Sequence, residues 1–591
     1  MNISFIDWAI IAAFFVISML IGVFSSRKAG SSAKEFFLSG RNMPWWLLGV
    51  SMVATTFSAD TPNLVTDIVR KNGVSGNWVW WAFLLTGMLT VFVYAKLWRR
   101  SEVTTDLEFY ELRYGGKPAA FLRAFRALYL GVFFNVVIMA TVSLAAIKIG
   151  GIMLGLSPIE TLLIASIVTV IYSSLGGLKG VLLTDFFQFF IAMAGAIGAA
   201  IYILDMPEIG SLNNLLTHEN VSDKLDFLPD FNDWNMVIPL LIMPLAIQWW
   251  ATWYPGAEPG GGGYIAQRML SAKDEKNAIG ATLFFNIAHY GMRPWPWIII
   301  ALASLIIFPN ISDMQAAFPH IPVDKLGDDL AYSAMLTFLP SGLIGIVLAS
   351  LIAAVMSTLS THLNWGSSYV VNDFYLRFLK PQATDKELVM VGRISTVLLM
   401  VLAAFLALAL SNALEAFNIL LQIGAGTGVI FILRWFWWRI NAYTEISAMV
   451  ISFVVAIFFE SINPKTQWII IPENQEYLKL LYGVGITTIG WVLVTIFTKP
   501  EKDAILISFY KKVRPAAFGW KKLLDRYPAE KQEQGQLPME IGLMLVGSIM
   551  VYATLFAVGF WIYGNVLSAC IATVIAVIGG VIIIKSWKNM R

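Results

Sequence analysis

The chain has 591 residues, of which 58% are hydrophobic and 13% charged, with a formal net charge of +3 and a mean hydropathy of +0.70. A soluble domain carries about 25% charged residues, so most of this surface must face lipid, and soluble enzymes, nucleic-acid binders and secreted disulfide scaffolds are excluded together. One cysteine, Cys570, allows no intrachain disulfide, and the four histidines (His218, His289, His320, His362) show no metal-ligand spacing.

A membrane-crossing helix needs about 20 mostly apolar residues. In chain order, about 15 stretches reach that length: 6–26, 44–68, 77–97, 124–148, 159–177, 181–203, 235–254, 278–308, 332–371, 389–411, 414–436, 445–460, 478–497, 538–561 and 567–585. Period-two alternation is absent, so a β-barrel is not expected. With the N-terminus outside, most of the 41 lysines and arginines fall in inner loops, among them Arg27, Lys28, Lys96, Arg99, Arg100, Lys511, Lys512 and Arg514. The opposite orientation inverts that ratio. Asp7 precedes the first span and Arg27 and Lys28 follow it, which fits a retained outside-in helix rather than a cleaved signal. An odd span count puts the C-terminus inside. The outer loops 204–234 and 309–331 are acidic and suit small lids. The inner segment 498–537 is basic and partly amphipathic, and reads as a surface helix on anionic headgroups.

Two spans look broken. The second carries Thr55, Thr56, Ser58, Asp60, Thr61 and Pro62 in its middle, and the seventh runs into Pro255, Pro259 and Gly260–Gly263. Non-helical backbone survives in hydrocarbon only where it is buried or lines a cavity. Breaks five spans apart match two five-helix repeats of opposite topology. In the ninth span Ala354, Ser357, Thr358 and Thr361 share one helical face, with Ser360 beside Ser357. Such hydroxyls suit helix–helix hydrogen bonds or a dehydrated alkali cation. Asp185, after Gly176–Gly177, is either solvated, a cap, or a buried carboxylate that needs a cation.

Four stretches resemble the sodium:solute symporter family, which includes sodium-sugar, sodium-proline and sodium-sialic acid cotransporters. They are FFLSGRNMPWWLLGVSMVATTFSAD at 36–60, GGLKGVLLTDFFQ at 176–188, YIAQRMLSAKD at 264–274 and the serine-rich ninth span. The resemblance covers about residues 5–500 and implies an all-α polytopic protein of the LeuT type. That fold is a five-plus-five inverted repeat with one extra N-terminal helix and additional C-terminal helices. Residues 1–35 are then the extra helix, 36–203 the first repeat, 204–234 an outer loop and 235–440 the second repeat. Residues 441–497 are peripheral helices, 498–537 the cytoplasmic loop and 538–591 the C-terminal helices.

Carried over residue by residue, one sodium site uses the carbonyls of Ala54, Phe57 and Ala354 and the hydroxyls of Ser357 and Thr358. A second, found in some members, maps onto Asp185, Ser357, Ser360 and Thr361. Thr56, Asp60 and Thr61 match sugar-contacting positions, and Tyr264 matches an aromatic inner gate, although the TWYPGAEPGGGG stretch before it departs from better-known members.

His289 and Arg293 share a helix face and suit a carboxylate, unless Arg293 instead serves backbone freed by Pro294 and Pro296. Trp78, Trp80, Trp81, Trp249, Trp250 and Trp253 suit either ring stacking or bundle packing. Asp60 in the pocket would repel a carboxylate. The expected function is sodium-coupled symport of a small polar solute by alternating access, with two sodium ions per cycle. A sugar or polyol is ranked before sugar acids, and those before amino acids or quaternary amines. Sodium ions are the implied cofactor, and the solute and the bilayer the partners. No nucleic acid is expected, one chain is the functional unit, and the location is the plasma (inner) membrane. An enzyme would want paired carboxylates or a metal cluster on an aqueous loop. A channel would want a multi-subunit filter, and a sensor an appended signalling domain. None of these is visible in the sequence.

Overall fold

The computed structural model describes residues 3–56, 58–250, 258–319, 326–410, 426–472, 475–530 and 536–589. Among them 11 helices are long and apolar enough to cross a membrane, and two shorter apolar helices are Trp45–Thr55 and Trp234–Trp250. The described residues contain no strand.

The first helix, Phe5–Ala29, begins at a Ser4–Asp7 capping box and ends with Arg27 and Lys28, charges matched to the helix dipole. Asp7 is fully buried and accepts the backbone N–H of Gly342 at 2.7 Å and of Gly345 at 2.9 Å. It therefore also caps the hydroxyl-rich helix and pins the first helix to it. The single span expected at 332–371 needs correction. A short helix, Ala331–Leu336, ends first, Gly342 turns at φ 87°, and Leu343–Leu379 begins anew. Pro340 and Gly342 interrupt a run whose apolar character alone looks continuous.

The spans expected at 159–177 and 181–203 are two helices that follow one another within Pro158–Leu204, divided by a kink at Gly177 (φ 53°, ψ −158°). A Cβ at Gly177 would lie 2.7 Å from Phe36 O, so the bend takes glycine for both conformation and space. The second expected span is two helices, Trp45–Thr55 and Asp60–Asn72. After Trp250, residues 251–257, with Trp253 and Pro255, lie outside the described residues, and helix resumes at Gly263–Ser271. Of the span expected at 414–436, Gly428–Phe436 is described as helix and 411–425 lie outside the described residues.

Leu537–Ile562 packs into the bundle. Its Glu540 pairs with buried Lys96, Tyr552 Oη donates to Trp81 O at 2.9 Å, and Trp295 Nε1 donates to Leu555 O at 3.0 Å. The 498–537 segment does not lay its apolar face on headgroups. Asp503–Val513 buries Leu506, Phe509, Tyr510 and Val513. The Phe509 ring stands 5.6 Å from Phe109 and 5.7 Å from Trp520, with the Arg113 guanidinium 5.0 Å from the Trp520 ring. Apolar positions three and four apart make one face, and aromatic partners on the bundle cover it.

Candidate functional site

The first break supplies free backbone oxygens. Helix stops at Thr55 and restarts at Asp60. The Thr56 hydroxyl donates back to Met52 O at 3.0 Å and Val53 O at 2.9 Å. Arg293 completes the closure, donating Nη1 to Val53 O at 2.8 Å and Nη2 to Thr56 O at 3.0 Å. Its guanidinium also lies 4.9 Å from the Trp297 ring. Arg293 thus serves the opened backbone, and the expectation that it faces the cavity beside His289 is corrected. A buried carbonyl left unpaired is costly, and this cation donates to two of them.

A cavity of about 220 Å³ runs between the two breaks. Thr56, Asp60, Thr61, Tyr264 and His289 line it, so five of the six expected solute residues come together there. Asp60 is exposed to this cavity and accepts a hydrogen bond from Ser58. His289 Nδ1 lies 3.3 Å from Thr56 Oγ1, and its ring meets Trp80 at 5.8 Å and Tyr290 at 4.5 Å. The tryptophans divide. Trp80 lines the cavity, whereas Trp78 and Trp81 are buried in the bundle, with Trp78 Nε1 donating to Phe227 O at 2.8 Å. No Lys or Arg lines the cavity among the described residues.

The hydroxyl face of Leu343–Leu379 meets the first broken helix. Thr358 Oγ1 is 3.1 Å from both Thr55 O and Ala354 O, and Thr55 and Thr361 hydroxyls are 3.0 Å apart. Ala54, Ala354 and Ser357 also border a void of about 10 Å³ with Gln188. Gln188 is 1% exposed, and neither amide atom has a hydrogen-bond partner among the described residues. A buried amide left this way marks room for a small polar guest. Phe57, the remaining expected ligand of this group, lies outside the described residues.

Asp185 is fully buried and accepts from Ser51 Oγ at 2.5 Å and Ser357 Oγ at 2.7 Å. Ser360 turns its hydroxyl to Ser357 O at 3.0 Å instead. The cation that a buried carboxylate needs is Arg268. Its Nη2 lies 3.7 Å from Asp185 Oδ2 and donates to Thr361 Oγ1 at 2.8 Å. Arg268 is absent from the sequence-based site, although a signal existed. It stands four residues after Tyr264, on the same helix face.

A second missed layer lies beneath the glycine run. Arg126 pairs with Glu258 at 3.0 Å, Tyr114 Oη donates to Glu445 at 2.6 Å, and Asp106 accepts Gly263 N–H at 2.9 Å and the Tyr369 hydroxyl. These residues come from segments hundreds of positions apart, so no local pattern announces them.

A helical bundle with two interrupted helices, a cavity between them and an oxygen-rich seam beside it defines a polytopic membrane transporter. Residues 36–452 match the model of the sodium:solute symporter family, and the chain belongs to that family. It is therefore a multi-pass integral membrane transporter and not an enzyme. It is 26% identical over 482 residues to the sodium/glucose cotransporter of Vibrio parahaemolyticus, covering 78% of this chain and 86% of that one. It is 26% identical over 472 residues to the sodium/mannose cotransporter SLC5A10 of Bos taurus, covering 74% and 76%. A solved substrate-bound, outward-open Na+-coupled sialic acid symporter superposes with a TM-score of 0.68 at 20% identity, covering 85% of this chain and 99% of that one. That likeness shows the shared LeuT-like fold.

Proposed function

We propose that the chain is a sodium-coupled symporter importing a small neutral sugar or other polyol by alternating access. The cavity carries the reading: it is walled by Trp80, Phe83, Tyr264, Phe285 and Tyr290, rich in threonines, and open to Asp60. Aromatic faces stack on sugar rings, while Asp60 accepts hydroxyls and repels carboxylates. The sugar-acid reading needed Arg293, which is engaged with Val53 and Thr56. An amine is the second reading, favoured by Asp60 alone. The names of the glucose and mannose relatives support the first.

In this proposal 36–203 and 235–440 are the inverted repeats, within about 15 crossings and with the N-terminus outside. One sodium takes Ala54, Phe57 and Ala354 carbonyls with Ser357 and Thr358 hydroxyls. Its arrival fixes the first broken helix against the hydroxyl-rich helix and shapes the cavity. A second sodium at Asp185, Ser357, Ser360 and Thr361 requires Arg268 to withdraw, because one carboxylate does not balance two buried cations. The stoichiometry sets the reach. At 100 mV and a tenfold gradient one ion supplies about 3.7 kcal/mol, or roughly 500-fold accumulation, and two support about 10⁵-fold.

A thermal-shift screen in sodium against potassium, across neutral sugars, sugar acids, amino acids and quaternary amines, tests the reading. A neutral sugar that stabilises only in sodium is expected. Stabilisation only by an anionic solute would sink it. Ser357→Ala should abolish sodium-dependent uptake with expression intact; unchanged sodium dependence would remove the first site.

A further inference from the structure

Among the described residues, two buried acceptor oxygens on residues that line the cavity have no hydrogen-bond partner. Glu258, 4% exposed, gives Oε1 to Arg126 at 3.0 Å, while Oε2 makes no hydrogen bond. Asn286, 1% exposed, donates its amide to Thr282 O at 2.8 Å and leaves Oδ1 unpaired. Both side chains line the cavity. A buried acceptor without a donor is costly and calls for an explanation.

The two lie near each other. Trp80, Phe83, Gly87 and Thr90 face the cavity at helical spacing along Val74–Ser101. Asn286 abuts Gly87, where a Cβ would fall 1.8 Å from Oδ1, and a Cβ on Gly261 would fall 3.3 Å from Thr90 Cγ2. Gly87 and Thr90 are about 4.5 Å apart along the helix. The Asn286 amide and the Glu258 loop therefore meet the cavity within one helical turn.

The glycine run builds this corner. Gly260 and Gly261 have φ of 86° and 85°, and Gly261 N–H donates to Glu258 O at 2.9 Å. A Cβ at Gly262 would lie 1.9 Å from Glu258 Oε2. Arg126 already balances the carboxylate, so the free oxygen lacks a donor rather than a second cation. A polyol offers donors, and a carboxylate offers none.

We propose that Glu258 and Asn286 form a subsite accepting hydrogen bonds from neighbouring hydroxyls of a neutral polyhydroxylated solute, with Glu258 as a specificity-determining residue. This rests on reading the cavity as the solute site.

The test uses the purified full chain in sodium, with thermal-shift titrations of D-glucose, D-mannose, myo-inositol, D-glucosamine, D-glucuronate and monodeoxy analogues of the best neutral ligand. A neutral polyol should stabilise the wild type, and one deoxy analogue should bind about tenfold more weakly. Glu258→Gln should bind the parent about tenfold more weakly and no longer distinguish that analogue. Asn286→Ala, which leaves the Arg126 pair untouched, should do the same for an adjacent deoxy position. Both variants should keep the shift produced by sodium alone.

Unchanged affinity and unchanged deoxy discrimination in either folded variant would overturn the subsite and leave the cavity reading standing. Loss of the sodium-only shift in Glu258→Gln would make Glu258 a cation holder and overturn it as well. A wild type stabilised by none of the neutral polyols would overturn the solute class and the subsite together.

Discussion

The two breaks open the backbone in opposite ways. At the first, between Thr55 and Asp60, side chains close what the backbone leaves open: the Thr56 hydroxyl and the Arg293 guanidinium take the Met52, Val53 and Thr56 carbonyls. At the second, glycines make room, and the Glu258 and Asp106 carboxylates settle against the backbone. One break therefore exposes acceptors and borrows a cation, while the other shelters anions. Arg268 joins them, leaving the helix after the second break to reach Ser51 on the first and Asp185 beside it. The lesson is that a discontinuous helix is not one device. Its chemistry depends on which groups satisfy it.

The largest test of that contrast removes the joining cation. Arg268→Ala leaves Asp185 buried and unpaired and should cost about 3–5 kcal/mol, read as lost thermal stability in detergent. Adding Asp185→Asn should recover much of it; strict additivity would mean the pair is not coupled. Arg293→Ala removes the donor to Thr56 O, while Val53 O keeps the Thr56 hydroxyl, and should cost about 1–3 kcal/mol without weakening selection against anionic solutes. A gain of carboxylate selectivity on restoring Arg293 would return it to the cavity. At the second break Gly262→Ala should cost about 1–3 kcal/mol by overpacking against Glu258, and the same substitution should cost less in a Glu258→Gly background than in the wild type, although Glu258→Gly is itself destabilising because it leaves Arg126 unpaired.

The smallest effect lies outside both breaks. Glu111 bridges Arg123 at 2.7 Å and Arg377 at 2.9 Å. Partial burial works against its charge, but hydrogen bonds and charge from Arg377 and Arg123 outweigh it and hold the carboxyl below its usual value. A depressed folded value stabilises above the unfolded Glu value, about 4.3, and the gain is lost as pH falls through the folded value. Glu111→Gln should lower stability slightly near neutrality and flatten its dependence on pH in that acid window.

Much of this was legible along the chain. Asp60–Pro62 and the four glycines announced both breaks, and the spacing of Ser357, Thr358 and Thr361 announced the oxygen face. The failures were of two kinds. The helix face of Arg293 reads as either a solute contact or a donor to backbone freed by its own prolines, and the carbonyls it serves, Val53 and Thr56, lie on another helix. Residues 498–537 were assigned to lipid because an amphipathic face does not say what covers it, and Trp520, Phe109 and Arg113 do.

Composition and periodicity by themselves determined a membrane bundle with two interrupted helices, because lipid tolerates few charges and no unpaired backbone. Only the tertiary structure decided which cation meets which anion. Asp185 and Arg268, Arg126 and Glu258, and Arg293 and the opened carbonyls are pairings across long sequence separations. A buried charge chooses its partner by distance in space, which residue order does not record.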